Sequence, residues 1–311
     1  MKEHYFLKNP KSQIAPYWTN NIIWFIYTTL YCTLFVLQKN IDIINVHSNE
    51  FIPGAVLASI LTKKPSVVTC RDYQTICNLG FCLWQKDRAC NFLDFVKNDF
   101  SFFYNHYVQH KNPIKHLILL SAAIRARIMQ KIIYFFARKI DYKIAVSQKV
   151  ASIFKSNGIK ITAVINNPVI IRTEIIQRSS NEIVYVGKFS KGKGVDMLVD
   201  LIPDILKEIP QAKFKLIGSG YLEKELKIRA KKMHFGKNAT FNGQISHSQA
   251  LAEVKSAALV VVPSIWPEPL PRSAIETILS GTPVVATDVG GLNEIIRDNV
   301  YGILCKPNAS H

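Results

Sequence analysis

The chain has 311 residues, which is long enough for two domains of ordinary size. Hydrophobic residues make up 48% of the chain and charged residues 20%, a composition that excludes an intrinsically disordered protein. The net charge is +17, and residues 1–150 hold +11 of it, with 19 basic and 8 acidic side chains. This excess fits a nucleic acid or an anionic membrane face as a partner, and equally a surface that is simply rich in lysine.

The six cysteines indicate reduced thiols rather than a metal site. None forms a CxxC pair, and no histidine stands beside them at zinc-ligand spacing. The N-terminus is polar and irregular, which is not the pattern of a cleavable signal peptide. We therefore expect a cytoplasmic protein that holds no metal.

Residues 22–37 form an apolar segment without a charged side chain. The segment has 16 residues, fewer than the ~20 that a helix needs to cross a membrane. An apolar strand follows almost directly. The pattern favours a buried helix packed on a sheet, and a helix lying in the membrane interface is the alternative.

The rest of the first half alternates between short apolar runs and helical patterns. DIINVHS (42–48) and PSVVTC (65–70) are rich in β-branched residues, which is typical of buried strands, and residues 54–61 between them favour a helix. Strand, helix and strand at this spacing predict a right-handed unit with parallel strands. Further elements are predicted as a long helix at 114–139, a strand at 142–147, a helix to residue 156 and a strand at 161–168.

Beyond residue 165 the alternation becomes very regular and predicts a doubly wound α/β domain. We place the domain boundary there, so that residues 1–165 and 166–311 are the predicted domains. Strands with their turns are predicted at 181–189, 212–220, 239–245, 258–264 and 282–291. Helices are predicted at 195–210, 221–233, 248–257, 272–281 and 292–298.

In such a sheet ligands bind at the carboxyl ends of the strands, so the turns that follow the strands hold the candidate binding residues. The turn from Gly187 to Gly194 combines three glycines, which let a ligand approach the backbone, with three lysines. This combination predicts a diphosphate held by Lys188 and Lys193. An exposed basic turn is the alternative.

Two carboxylates mark the turn after the fourth strand of this domain. Glu268 lies in the turn, and Glu276 lies on the following helix, where Pro271 suits the first helical turn. A carboxylate on a helix packed against a sheet needs a partner, and a ribose diol is one, although a surface position for Glu276 is the alternative. After the fifth strand, Gly290 and Gly291 predict a further anion-binding nest or a plain turn.

Together these turns resemble glycosyltransferase family 4, a group of retaining enzymes with the GT-B fold. The family's phosphate turn, roughly GRLxxEKG, corresponds to residues 187–194, and its E-x7-E motif corresponds to Glu268 and Glu276. GTPVVATDVGGLNEII (281–296), DIINVHS and IAVSQKV (144–150) are also close to family wording. The resemblance implies two Rossmann-like, doubly wound α/β domains that face each other across a cleft. It also implies that the first domain is incomplete and that C-terminal helices of the second are missing.

The resemblance also implies roles for individual residues. Lys188 and Lys193 would neutralise the diphosphate of the donor, and Glu268 would contact the transferred sugar; these three form the implied catalytic set. Glu276 would bind the ribose hydroxyls. No metal or cofactor is expected, because cationic side chains and a helix N-terminus can stabilise the leaving diphosphate. The implied donor is a UDP- or GDP-sugar, and its binding residues are Gly187, Lys188, Lys193, Glu268, Leu270, Arg272 and Glu276.

The chain departs from the family pattern at several of these positions. Lys188 stands where arginine is usual, which keeps the charge but loses bidentate geometry. Pro271 replaces a glycine and so removes one backbone N–H donor. Arg71 stands where many relatives have histidine, followed by an aspartate that fits the family. We expect Arg71 and Asp72 on the acceptor side of the site.

The implied function is sugar transfer by a hexosyltransferase-type enzyme to a glycan or lipid-linked acceptor, in the synthesis of cell-surface polysaccharide or glycolipid. Helix 114–139 mixes apolar and basic residues, which is typical of an interfacial helix on anionic lipid or of a core helix with a basic outer face. We therefore expect peripheral contact with the cytoplasmic membrane face as one option.

Three alternatives to this function stay open. The chain could be a non-catalytic, truncated relic of the fold that binds nucleotide or glycan. It could also be a sugar-nucleotide epimerase or a glycan phosphorylase on the same fold. A nucleic-acid partner is suggested only by charge and is not expected, since no recognised nucleic-acid module is present.

Overall fold

A computed structural model of the chain describes residues 22–77, 113–170, 179 and 181–307. The chain divides into two compact units. The first comprises Met1–Ala145 and Ser152–Ala163, and the second comprises Val146–Ala151 and Val164–His311. Among the residues described, each unit contains one sheet whose strands alternate along the chain with helices, so both are α/β units.

The first sheet has the strand order β1-β2-β3-β4, and β1, β2 and β3 pair in parallel. Helix α2 connects β1 to β2, which confirms the predicted strand–helix–strand unit. The strands are β1 (Ile44–Val46), β2 (Ser66–Cys70), β3 (Tyr142–Ala145) and β4 (Ala163–Val164). The helices described in this part of the chain are α1 (Ile22–Gln38), α2 (Ile52–Thr62), α3 (Pro113–Ala137) and α4 (Gln148–Ser156).

The second sheet has six parallel strands in the order β10-β9-β8-β5-β6-β7. The order reverses between β8 and β5, which is where a doubly wound sheet opens a crevice for ligands. The strands are β5 (Glu182–Val186), β6 (Lys213–Ile217), β7 (Ala239–Gly243), β8 (Leu259–Val262), β9 (Val284–Thr287) and β10 (Gly302–Cys305). The helices are α5 (Val195–Glu208), α6 (Glu223–Lys232), α7 (His247–Ser256), α8 (Arg272–Leu279) and α9 (Leu292–Ile295).

Helix α5 shows why this sequence builds the second unit. Its buried residues recur at the spacing of one helical face, so that the helix covers the sheet with a single apolar stripe. The stripe packs against Phe214 and Leu216 of β6 and against Leu226 of α6. The residues of the stripe are Val195, Leu198, Val199 and Ile202.

Two of the predicted elements that are shorter in the structure end for a visible reason. The strand predicted at 161–168 forms only Ala163–Val164, because Pro168 has no N–H for a sheet and Asn166 turns its amide to the carbonyl of Val146, at 2.9 Å. The helix predicted at 292–298 ends at Ile295, since Ile296 has extended backbone angles. Each of the other predicted strands and helices overlaps an observed element of the same kind.

Helix α1 is not fully buried, so that part of its prediction is wrong. It packs on α2, where Gly54 lets Thr28 come so close that a Cβ would lie 2.2 Å from the Thr28 hydroxyl. Phe25 and Val36 are buried. The opposite face stays exposed because α2 covers only one side; it carries Ile26, Tyr27, Leu30, Tyr31, Leu34 and Leu37.

Helix α3 confirms the predicted long helix to within two residues at each end. Gln130 is buried and donates to the carbonyls of Thr75 and Ile76, at 3.0 and 2.7 Å, which fixes one side of the helix. The outward side mixes apolar and basic residues, as the sequence pattern predicts. Its exposed members are Ile124, Arg125, Ile128, Lys131 and Phe135, followed by Arg138 and Lys139 just beyond the helix.

The thiols of the described cysteines are free, as predicted: Cys32, Cys70, Cys77 and Cys305. Burial, with a smaller contribution from Asp72, raises the pKa of Cys70 to about 12, so this thiol stays protonated and unreactive. Within the described ranges, no group of three potential ligands is placed to hold a metal ion. In the same ranges, no helix combines the length and the apolarity that a membrane-spanning helix requires.

Candidate functional site

The turns at the carboxyl ends of the central strands of the second sheet are joined by backbone hydrogen bonds. The amides of Ile265 and Trp266, after β8, both donate to the carbonyl of Gly192, after β5, at 3.0 and 3.2 Å. The amide of Phe189 donates to Ser219, after β6, at 2.9 Å. The turns therefore form one connected surface at the switch point of the sheet.

Two glycines make this close packing of turns sterically allowed. Gly194 has a φ of +65°, and a Cβ there would lie 1.8 Å from the carbonyl oxygen of Pro263. Gly290 has a φ of +62°, and a Cβ there would lie 2.2 Å from the carbonyl oxygen of Glu268. Both positions therefore require glycine for its backbone angles and for space.

Glu268 is a buried carboxylate, with only 2% of its surface exposed. Its Oε1 accepts a hydrogen bond from the Ser264 hydroxyl at 2.5 Å and from the Lys193 ammonium at 2.6 Å. Its Oε2 accepts no hydrogen bond from the described residues. The Thr287 hydroxyl in turn donates to the carbonyl of Ser264, so three strand ends hold this carboxylate. Ser264 and Thr287 were missed in the sequence, where they are ordinary strand-end residues.

Lys193 reaches Glu268 from the glycine-rich turn, and 30% of its side chain stays exposed. Its ammonium lies 5.2 Å from the centroid of the Trp266 ring, within the range of a cation–π contact. An ammonium has three N–H donors and Glu268 takes one of them, so the others can bind an anion at the surface. Lys188 is exposed and makes no ion pair among the described residues.

Tyr185 is hydrogen-bonded to the backbone of the same glycine-rich turn. Burial, together with the nearby Glu268 and Asp196 carboxylates, raises the pKa of Tyr185 far above its ordinary value. The hydroxyl therefore stays protonated and donates to the carbonyl of Lys188, at 3.0 Å. This bond orients the peptide of the predicted phosphate-binding residue.

Glu276 lies on α8 with 12% of its side chain exposed, and it is paired rather than free on the surface. The guanidinium Nε of Arg272, one helical turn earlier, donates to Glu276 Oε1 at 2.7 Å. The Nε2 atom of His247, the first residue of α7, lies 2.7 Å from the same oxygen. His247 was missed in the sequence, because only the fold brings α7 beside α8.

The segment between the two glutamates is fixed by its backbone. Leu270 is buried, so its predicted contribution can come from its backbone only. The carbonyl of Pro269 accepts a hydrogen bond from the Ser147 hydroxyl at 2.5 Å. Pro271 is the N-cap residue of α8, in an extended conformation.

Several backbone amides in the turn after β9 donate to backbone carbonyls, and the anion-binding nest stays a prediction there. The amide of Gly291 donates to the carbonyl of Glu268 at 2.6 Å. The amides of Asp288, Val289 and Leu292 are also bonded to backbone carbonyls. The glycine pair packs this turn against residues 267–269.

Arg71 and Asp72 lie in the first unit, just after β2. Arg71 is exposed. The Asp72 carboxylate accepts hydrogen bonds from the Gln74 amide at 2.9 Å and from the Asn49 side chain at 3.4 Å. Asp72 therefore stabilises the turn at 72–76, and its predicted acceptor-side role stays a prediction.

The fold defines the class of protein to which the chain is similar. Comparison with solved structures identifies it as the GT-B fold. The Anabaena protein HepE, in complex with UDP, superposes with a TM-score of 0.60 at 19% identity, over 90% of this chain and 68% of HepE. Residues 167–311 match the family described as glycosyl transferases group 1.

Curated relatives agree with this family. Two uncharacterized glycosyltransferases of Methanocaldococcus jannaschii are 35% identical over 132 residues and 32% identical over 208 residues. These alignments cover 42% and 65% of this chain, and 33% and 57% of the relatives. The chain thus spans between a third and just over half of the length of these relatives.

Proposed function

We propose that the chain is a glycosyltransferase that takes a sugar from a nucleotide-sugar donor bound in the second unit. The observation that carries this proposal is the buried Glu268 carboxylate, which pairs with Lys193 of the glycine-rich turn at the carboxyl ends of the strands, in a segment that matches the group 1 family. Lys188 and Lys193 neutralise the donor diphosphate, since both ammonium groups belong to one glycine-rich turn. The UDP in the HepE structure makes a UDP-sugar the first donor to test.

The two glutamates have separate roles in this proposal. One carboxylate oxygen of Glu268 accepts hydrogen bonds from Lys193 and Ser264. The other oxygen accepts a hydrogen bond from a hydroxyl of the transferred sugar. Glu276, whose Oε2 accepts no hydrogen bond from the described residues, receives the ribose diol. The amides near Leu270 and Arg272 complete the contacts with sugar and phosphate.

The reaction we propose retains the anomeric configuration and uses no metal. The acceptor oxygen attacks the sugar carbon from the face that the diphosphate leaves, and the leaving phosphate oxygen takes the acceptor proton. Lys188 and Lys193 stabilise the charge that develops on the diphosphate. Anomeric coupling constants of the product, measured by NMR in EDTA and in Mg²⁺, distinguish retention from inversion and test the metal requirement.

The Glu276→Gln variant is expected to bind UDP about ten- to a hundred-fold more weakly than the wild type. The ribose then loses hydrogen bonds to a charged group, each worth ~1.5–3 kcal/mol. Isothermal titration calorimetry with UDP and with GDP measures this effect and identifies the base. Glu208→Gln, which removes an exposed carboxylate at the end of α5, is the matched control.

A folded wild-type chain that binds neither UDP nor GDP would overturn the donor site. Nucleotide binding without any transfer from a labelled donor would instead support the non-catalytic relic. Conversion of the donor into its epimer, without an acceptor, would support the epimerase.

We propose in addition a glycan or lipid-linked acceptor and contact with an anionic membrane through the exposed side of α3. Arg125, Lys131 and Arg138 on this side are exposed beside apolar residues. Each basic residue near an anionic surface contributes about 1 kcal/mol, so three together give roughly a hundred-fold in affinity.

Changing Arg125, Lys131 and Arg138 to glutamine is therefore expected to weaken sedimentation with phosphatidylglycerol vesicles about a hundred-fold. The matched control replaces three exposed lysines on α6, Lys224, Lys231 and Lys232, by glutamine. Equal binding of the wild type to neutral and anionic vesicles, or an equal loss in the control, would contradict the electrostatic contact.

A further inference from the structure

His247 and Glu276 come from different strand–helix connections and meet in the second unit. His247 begins α7, which follows β7, whereas Glu276 lies in the middle of α8, which follows β8. The His247 Nε2 atom is 2.7 Å from Glu276 Oε1. No sequence motif of the chain includes this histidine.

Only one of the two carboxylate oxygens of Glu276 accepts hydrogen bonds from the described residues. Arg272 Nε and His247 Nε2 both bind Oε1, each at 2.7 Å. Oε2 accepts no hydrogen bond from the part of the chain that the structure describes. Two donors on one oxygen restrict the rotation of the carboxylate and leave Oε2 for a further hydrogen-bond donor.

The backbone of His247 is itself held in place. Ser246 caps α7: its hydroxyl accepts a hydrogen bond from the Gln249 amide at 3.3 Å, and its own amide donates to Gln249 Oε1 at 3.0 Å. This reciprocal capping box orders the first turn of the helix, in which His247 lies. The backbone of His247 is therefore ordered, although 59% of its side chain is exposed.

Arg272 alone would not hold the carboxylate as firmly. Its side chain is 65% exposed and belongs to the same helix as Glu276, one turn away. Exposed pairs at this spacing are weak and allow several rotamers of both side chains. A second donor from another helix removes this freedom, because it approaches the same oxygen from a separate element.

We infer that His247 is a positioning residue that orients Glu276 for the ribose diol of a nucleoside diphosphate. This inference rests on the proposed function, because it assigns a further residue to the same donor site. Its ligand class is a ribonucleotide, and the group that it helps to recognise is the pair of ribose hydroxyls.

The test compares UDP and GDP with their 2′-deoxy forms by isothermal titration calorimetry. For the wild type we expect the deoxy form of the bound nucleotide to have a Kd about ten-fold higher, because one hydrogen bond to a carboxylate is lost. In His247→Ala this ratio is expected to fall to about three or less. His247→Gln, which can donate from a similar position, is expected to restore most of the wild-type ratio.

The control variant is His234→Asn, which removes an exposed histidine after α6 and suits its φ of +59°. Thermal melting shows whether each variant is folded. A wild-type ratio in His247→Ala, or an equal loss of affinity for ribose and deoxyribose forms, would overturn the positioning role alone. A folded wild type that binds no nucleotide would overturn the proposed function and this inference together.

Discussion

Replacing Lys193 by methionine is expected to lower the free energy of unfolding by about 3 kcal/mol, because it leaves the buried Glu268 carboxylate without its cation. The Ser264 hydroxyl remains as a partner, but it carries no charge to balance the carboxylate. For a unit of this size the loss corresponds to a melting temperature lower by about 6 to 12 °C. Differential scanning calorimetry measures the change.

The matched control is Lys191→Met, which removes an exposed lysine from the same turn and is expected to change stability by less than about 0.5 kcal/mol. In the double variant Lys193→Met with Glu268→Gln, most of the lost stability is expected to return, because a neutral amide needs no cation. A Lys193→Met variant that melts like Lys191→Met would show that the ion pair does not stabilise the turn.

The Gly194→Ala variant is expected to lose about 3 kcal/mol or more and to bind nucleotide poorly. A left-handed backbone costs a non-glycine residue about 1–2 kcal/mol. The new Cβ would also lie 1.8 Å from the carbonyl of Pro263, so the turns after β5 and β8 must separate. Urea denaturation and titration with UDP measure the two effects.

Two other glycines separate the causes of this loss. Gly243 has a φ of +66° but open space around its Cβ position, so Gly243→Ala is expected to cost only the backbone term of about 1 kcal/mol. Gly236 has open space and no positive φ, and Gly236→Ala is expected to be neutral or slightly stabilising. If Gly194→Ala costs no more than Gly243→Ala, the turns do not need their close approach.

The order of elements could be predicted from the sequence because each follows from a local pattern. The apolar stripe of α5 and the β-branched run of β8 need no distant information. The exposure of α1 could not be predicted in this way. The sequence pattern of an uncharged helix is the same whether one of its faces is buried or both are. Which face of α1 is buried depends on its packing against α2.

The candidate site could be predicted only as far as its motifs reach. Residues 187–194 and the two glutamates stand in recognisable turns. The bond between Lys193 and Glu268, however, joins positions 75 residues apart, and the contact of His247 with Glu276 spans 29. Such pairs depend on strand order, because a residue after β7 meets α8 only once the sheet is assembled.

The position of Trp266 gives the site an optical consequence. Its indole ring lies 5.2 Å from the Lys193 ammonium, and its backbone amide is tied to the glycine-rich turn. An anion that binds the Lys193 ammonium is expected to change the electric field at the indole, and therefore the wavelength of the Trp266 fluorescence. The difference in fluorescence between the wild type and a Trp266→Phe chain isolates this signal from the other tryptophans. Trp266 fluorescence is therefore expected to measure anion binding at Lys193 without a label or a turnover assay.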